Sequence, residues 1–281
     1  MIEKKRDSQL KIRILVWAIN ESKSLMEALC DSLIQSAKVF GIKVEFLGIG
    51  HKFIEHKQRI WILQNYLQTV PPNEIIVCMD GADTLFNGNL EQLLTKFLAF
   101  DTRILLSAEK DYTYQYKVFK PLFESIVSEY RYVNAGTFMG YAVDVQQMIT
   151  EVISLNQSYP HANDQGLLGI WASLYLHQPH IMQLDTTCSI FWVTTHDWSL
   201  LEQSAKQDAK ITNPNTASHP VIIHCVGNNF PPHRRAYNTA FRQITQQAQA
   251  INMMRLFSRV EHLTLALLTP YNRYHYITYI S

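Results

Sequence analysis

The chain has 281 residues, 47% of them hydrophobic, with 25 lysines and arginines against 24 acids and a formal net charge of +1. That length suits one large domain or two small ones, and the apolar content is ample for a continuous core. The near-balance of charge gives no broad electrostatic reason to expect a nucleic acid or an anionic membrane as partner, while leaving a small anionic ligand open.

Four cysteines, Cys30, Cys78, Cys188 and Cys225, form no CxxC pair and sit in or beside apolar runs. Buried free thiols are therefore expected over disulfides or zinc ligands. The charged start, Met1 to Arg6, precedes an apolar run, Ile12 to Ile19, too short to span a bilayer and without a small-residue cleavage site. No transmembrane segment and a cytoplasmic location are expected, with secretion that uses no cleaved signal peptide left open.

Taken in order, the periodicity alternates between strand and helix, the pattern of an α/β domain with a mostly parallel central sheet. Ile12 to Trp17 reads as a buried first strand. Ser22 to Phe40 reads as one helix carrying Leu25, Leu29, Leu33 and Val39, capped by Asn20 or Ser22 and stopped by Gly41. A strand at Lys43 to Leu47 and a helix at Arg59 to Leu67 follow. Pro71 and Pro72 break that helix ahead of Ile75 to Met79, the clearest central strand.

Further elements are expected as a helix at Asn89 to Leu98, a strand at Ile104 to Ser107, and a tyrosine-rich loop around Tyr112, Tyr114 and Tyr116. Val133 to Gly140 reads as a tightly packed turn and strand. Asp144 to Leu155 and Asp164 to Leu176 read as amphipathic helices opened by an aspartate cap. Strands are predicted at Ile181 to Leu184, Ile190 to Val193 and Val221 to Cys225, with a long polar loop from Ser199 to Pro220. A glutamine-rich helix at Tyr237 to Phe257 closes a single domain over 1–258. An aromatic tail over 259–281, with Tyr271, Tyr274, Tyr276 and Tyr279, packs on the domain or forms a partner surface.

The strongest chemical signal is Asp80-Gly81-Ala82-Asp83, two carboxylates in a tight turn straight after a buried strand. Ligands of open α/β sheets sit at the carboxyl ends of strands, and paired acids attract a hard divalent cation that bridges to a diphosphate. Gly81 and Ala82 leave room for such a ligand. The bland alternative is an Asp-Gly turn with Asp83 as a cap.

His224 ends the apolar run VIIH ahead of Cys225, Val226, Gly227 and Asn228, again at a strand's carboxyl end. Its imidazole is either structural or a third ligand for a borderline cation such as manganese. Asn163-Asp164-Gln165 either caps a helix or supplies Asp164 as a carboxylate for sugar or acceptor hydroxyls. Lys57, within HKQR, is either solvated or reaches a phosphate from a helix N-terminus.

The order of these motifs carries more than any one of them. Lys57, IIVCMDGAD, LLSAE at Leu105 to Glu109, YVNAGTFMGY at Tyr132 to Tyr141, NDQ at Asn163 to Gln165 and the late IIHCVGN together resemble the glycosyltransferase domain of the procollagen lysyl hydroxylase family, over about Ile12 to Asn229. The resemblance implies a GT-A-type, Rossmann-like fold, Mn2+ (with Mg2+ as the alternative), a UDP-sugar donor carrying glucose or galactose, and a hydroxyl acceptor on a protein or glycan. It implies Asp80 and Asp83 as the DxxD metal pair, His224 as the third ligand, Lys57 on the phosphate side and Asp164 as the catalytic acid of a polyaspartate stretch. Glu109 and Asn134 fall in segments that shape the donor site. Asn163 stands where the family has another aspartate, Val226 where an asparagine follows the metal histidine, and Thr113 where a tryptophan is usual. At this length no hydroxylase domain, iron or 2-oxoglutarate chemistry is expected.

On this reading the cation neutralises charge as the bond from sugar C1 to phosphate breaks, and Trp17, Ala18 and Ile19 border the uracil and ribose. Tyr112 to Tyr116 cover the diphosphate, and Gly227 and Asn228 join the donor-binding residues. Two alternatives stand beside it. One is a donor-binding module without turnover. The other is a haloacid-dehalogenase-like phosphatase, which requires acids two apart where Asp80 and Asp83 are three apart.

Overall fold

The computed structural model describes residues 10–228 and 230–246. The predicted aromatic tail over 259–281 and the end of the predicted helix beyond residue 246 lie outside them. In chain order the elements are β1 (Ile12–Asn20), α1 (Lys23–Leu29), α2 (Asp31–Val39), β2 (Glu45–Ile49), α3 (Gln58–Leu67), β3 (Ile75–Asp80), β4 (Thr84–Phe86), α4 (Leu90–Ala99) and β5 (Ile104–Glu109). After a 3-10 turn at Lys117–Phe119 come α5 (Lys120–Glu124), β6 (Tyr132–Tyr141), α6 (Ala142–Ser158), α7 (Asp164–Tyr175), β7 (Met182–Asp185), β8 (Phe191–Val193), α8 (Trp198–Gln207) and β9 (Ile222–His224). Residues 231–246 are helical. None of these helices is long and apolar enough to cross a membrane.

Six strands form the central sheet in the order β2-β1-β3-β6-β5-β7. The sheet is mixed, not the mostly parallel one expected, because β6 runs antiparallel to both of its neighbours at the centre. Alternation along the strands sorts the core into two layers. Leu15, Trp17, Ile76, Cys78 and Leu106 face Ile60, Leu63 and Leu67 of α3, Met148 and Val152 of α6, and Leu168 and Trp171 of α7. Ile14, Val16, Val77, Met79 and Leu105 face Leu33 and Ala37 of α2 and Leu93 and Phe97 of α4.

A second, three-stranded sheet, β4-β9-β8, closes over that latter face, with Phe86, Phe191 and Ile222 entering the same apolar layer. All four cysteines are buried and free, and burial pushes the Cys30 thiol up to about 11.

Several sequence expectations need correction. The single helix from Ser22 to Phe40 is two, broken at Cys30, because α1 and α2 serve different surfaces. Met26 and Cys30 pack on Ala18 at the end of β1, Leu33 and Ala37 pack on the sheet face, and Leu25 and Leu29 are exposed. Ser22 does cap α1, accepting from Leu25 N at 3.3 Å.

The first half of the predicted loop Ser199 to Pro220 is α8, whose polar sequence hides buried Trp198, Leu201 and Ala205 at helical spacing. Asp144 does not cap α6 but pairs with Arg103 at 2.6 Å, and α7 is capped by Asn163, which accepts from Gly166 N at 2.8 Å. Val133 to Gly140 lies wholly within the strand β6, and β4, directly after the Asp80 turn, was not foreseen.

Phe86 is fully buried where the small sheet meets the large one. Phe86→Ala is expected to lower unfolding free energy by roughly 3–5 kcal/mol, read in urea as a fall in midpoint at unchanged m-value.

Candidate functional site

β3 ends at Asp80, side by side with Trp17 of β1. The turn that follows is forced to be tight, since a Cβ on Gly81 would lie 2.5 Å from Cys30 Sγ and 2.9 Å from the Trp17 carbonyl oxygen. Thr84 Oγ1 donates to the Asp80 carbonyl and closes the turn. β4 then pairs antiparallel with β9, placing Thr84 opposite His224, while Cys225 N donates to the Asp83 carbonyl at 2.7 Å. That pairing carries an imidazole from far downstream to the two acids.

His224 Nε2 lies 3.5 Å from Asp80 Oδ2 and 3.5 Å from Asp83 Oδ1. One ligand atom from each residue falls within 4.8 Å of the others, the kind of set that holds a metal ion. His224 is buried, and both acids are partly exposed. β6 approaches closely enough that a Cβ on Gly136 would lie 2.1 Å from His224 Cε1 and 2.7 Å from Asp80 Oδ2. Only glycine fits there.

Arg59 on α3 is the positive charge beside this group, bonded through Nη1 to Asp80 and through Nε to Asp164, the first residue of α7. Burial raises the Asp80 pKa, with Arg59 opposing and Asp83 adding to the rise. Burial disfavours the His224 imidazolium, but the charge and hydrogen bond of Asp83, with Asp80 and Glu109, outweigh it and hold its pKa above the ordinary value.

Behind this layer, Gln165 donates to Glu109 Oε1 at 2.8 Å and to the Thr113 carbonyl at 2.9 Å, and accepts from Ala135 N at 3.3 Å. Glu109 Oε2 accepts from Thr195 at 2.9 Å, and burial pushes its carboxyl up to about 7. Asn134 Oδ1 accepts from Gly136 N at 2.9 Å and so shapes the backbone beside His224.

Trp17, Ile19, Gly81, Asp80 and Asp83 line an open cleft of about 290 Å3 together with Arg59, Phe53 and His56. Ala18 does not line the cleft itself but packs against Met26, which does, and against Cys30. Lys57 Nζ is engaged by the Pro160 carbonyl at 2.8 Å and Asn156 Oδ1 at 3.3 Å, and the basic residue in the cleft is Arg59. Tyr112 packs on Tyr132 and Phe123 and donates to the Tyr116 carbonyl at 2.5 Å. Gly227 turns the chain at φ 75°, and Asn228 Nδ2 donates to the Ala82 carbonyl at 3.1 Å, tying the loop after β9 to the acidic turn.

Arg59, Phe53 and His56 were missed by sequence reasoning. For Arg59 a signal existed, since Arg59, Leu63 and Leu67 share one helix face, and a charge in phase with a buried stripe needs a buried partner.

Residues 12–238 match the family described as the PLOD GT domain. A Caenorhabditis elegans protein, "Multifunctional procollagen lysine hydroxylase and glycosyltransferase", is 27% identical over 207 residues, covering 68% of this chain and 28% of that protein. "Procollagen-lysine,2-oxoglutarate 5-dioxygenase 1" of Homo sapiens is 25% identical over 126 residues, covering 42% of this chain and 17% of that one. The matched segments are thus less than a third of the length of either relative. Among solved structures, the galactosyltransferase LgtC aligns with a TM-score of 0.51 at 15% identity, covering 84% of this chain and 95% of that one, which shows a shared α/β fold. With the family match spanning most of its length, the chain belongs to the PLOD GT domain family, the glycosyltransferase domain found in relatives of the procollagen lysyl hydroxylases.

Proposed function

We propose that this domain transfers a hexose, glucose or galactose, from a UDP-sugar to a hydroxyl of a protein or glycan, in a GT-A-type arrangement whose ion is manganese, with magnesium as the alternative. One observation carries the reading: two carboxylates and a buried imidazole converge within 4.8 Å beside a cleft, in a chain of a glycosyltransferase family. The residues suit such an ion. Two oxygens and one nitrogen are a borderline donor set. His224 Nε2 lies 3.5 Å from an oxygen of each carboxylate, so one cation could be held by all three residues. LgtC, which shares the fold, is described in complex with donor and acceptor sugar analogs.

A divalent cation bound there supplies Lewis-acid neutralisation of the departing diphosphate. The chain's own residues do the rest. Arg59 fixes Asp80 and Asp164 through one guanidinium, so the acid at the start of α7 keeps a set distance from the metal ligands. Trp17, Ile19 and the half-exposed Phe53 border the cleft where a base and ribose fit. Asp164 orients the transferred sugar or the acceptor hydroxyl.

Hydrolysis of UDP-glucose or UDP-galactose in manganese tests the reading directly. Chelator is expected to abolish it and Asp83→Ala to lower it on the order of 100-fold or more; donor cleavage indifferent to chelator would overturn the mechanism. Gly136→Ala, which drives a methyl into the His224 ring, is expected to weaken manganese binding at least about tenfold by calorimetry. Arg59→Met removes the charge shared by two acids and is expected to destabilise the metal-free protein by about 3–5 kcal/mol. Added manganese should recover part of that loss, because a cation restores positive charge beside Asp80; thermal midpoints with and without the ion measure both.

A further inference from the structure

The helix over 231–246 has two unlike faces. Ala236, Tyr237, Ala240 and Ile244 are buried and join the main core. The opposite face turns outward, and a hollow of about 400 Å3 open to solvent runs along it, lined by Pro231, Arg234, Arg235, Asn238, Thr239 and Arg242. All three arginines are exposed, and no acid is among these residues. The sequence holds no aspartate or glutamate anywhere from 209 to 260, in a chain whose charges otherwise nearly balance.

The protein uses little of this positive charge itself. Arg235 Nε donates to Glu202 of α8 at 3.0 Å, but the same carboxylate also pairs with Lys206, so one acid serves two cations. No acid stands three or four residues from any of the three arginines, where a helix would pair them. The side chains of Arg234, Asn238 and Arg242 make no hydrogen bond or ion pair among the described residues.

Arg234, Asn238 and Arg242 form one row at steps of four residues, each about 6 Å along the helix axis. An extended peptide presents side chains on one face at every second residue, about 6.6 Å apart. The two repeats nearly agree, so carboxylates at alternate positions of an extended strand meet the row in register. Guanidinium groups suit such partners, because their planar forks grip a carboxylate through two parallel hydrogen bonds.

Other polyanions fit less well. The apolar face of the helix is already in the core and no large apolar side chain lines the hollow, so nothing here would enter a lipid surface. A single-stranded nucleic acid finds no aromatic ring in the lining on which to stack its bases.

We propose that this face docks an acidic segment of a partner polypeptide, extended along the helix with Asp or Glu at alternate positions. None of its residues is among the metal or cleft residues, so the docking surface does not depend on the sugar-transfer reading. Binding of this kind is steered by charge and weakens as salt rises.

Fluorescence anisotropy of the full chain with a labelled peptide of four Glu-Ser repeats tests the proposal. One comparison peptide carries glutamine for every glutamate, and another groups the four glutamates ahead of the four serines. The alternating peptide is expected to bind, the grouped one at least about threefold more weakly, and the glutamine one not at all. The double variant Arg234→Ala with Arg242→Ala is expected to lower affinity for the alternating peptide about tenfold. Lysine at both positions is expected to recover only part of the loss, and Lys38→Ala, at an exposed site on α2, to change nothing. An unchanged thermal midpoint shows that the double variant is folded. Equal affinity of the double variant and the unaltered chain, or of the alternating and grouped peptides, overturns the proposal. Retention on phosphatidylserine vesicles or on an oligothymidylate, with no peptide bound, gives the face to another polyanion and overturns it too.

Discussion

Everything at the candidate site depends on the antiparallel pairing of β4 with β9. Two acids three residues apart are set by a local turn, but the imidazole comes from the far end of the domain, and only the register that puts Thr84 opposite His224 delivers it. Backbone bonds from Cys225 N to the Asp83 carbonyl and from Thr194 N to the His224 carbonyl lock that register on both sides. Each such bond contributes only about 1 kcal/mol net. The apolar layer of Phe86, Phe191 and Ile222 beneath them supplies the larger share, and so holds like charges together against their repulsion.

Electrostatics explains why the group tolerates burial at all. Asp80 and Asp164 sit on different elements and meet only through Arg59, whose planar guanidinium serves both at once. A lysine, a point charge on a flexible stem, would not fix the two acids at a set separation. Glu109 shows the contrasting solution: it forms no salt bridge with a lysine or arginine among the described residues, it is held by Gln165 and Thr195, and burial pushes its carboxyl up to about 7. Two buried carboxyl environments, one charge-paired and one not, thus stand on either side of β6.

Much of this was legible in the sequence because it is local. The run IIVCM followed by Asp80 marked both the central strand and the carboxyl end where ligands gather, and His224 was marked in the same way. What escaped notice depends on how elements turn and pair. Strand periodicity carries no direction, so the antiparallel course of β6 could not be read. Lys57 and Arg59 are two residues apart, about 200° around a helix. One therefore reaches the connection between α6 and α7 and the other the acids, a distinction fixed by how α3 packs on the sheet. Trp198, Leu201 and Ala205 were too thinly spread among polar neighbours to announce α8.

β6 also keeps its pairing with β3 as far as Thr137 but leaves β5 between Leu106 and Ser107, so that Ala135 and Gly136 pair with neither. β5 and β6 pair again from Ser107 to Glu109, so the irregular stretch is a bulge with Asp80 to one side of it and Glu109 to the other. Gln165 ties this stretch to β5, accepting from Ala135 N and donating to Glu109. The bulge thus leaves Ala135 and Gly136 outside the strand pairing just where Gly136 comes up against His224 and Asp80.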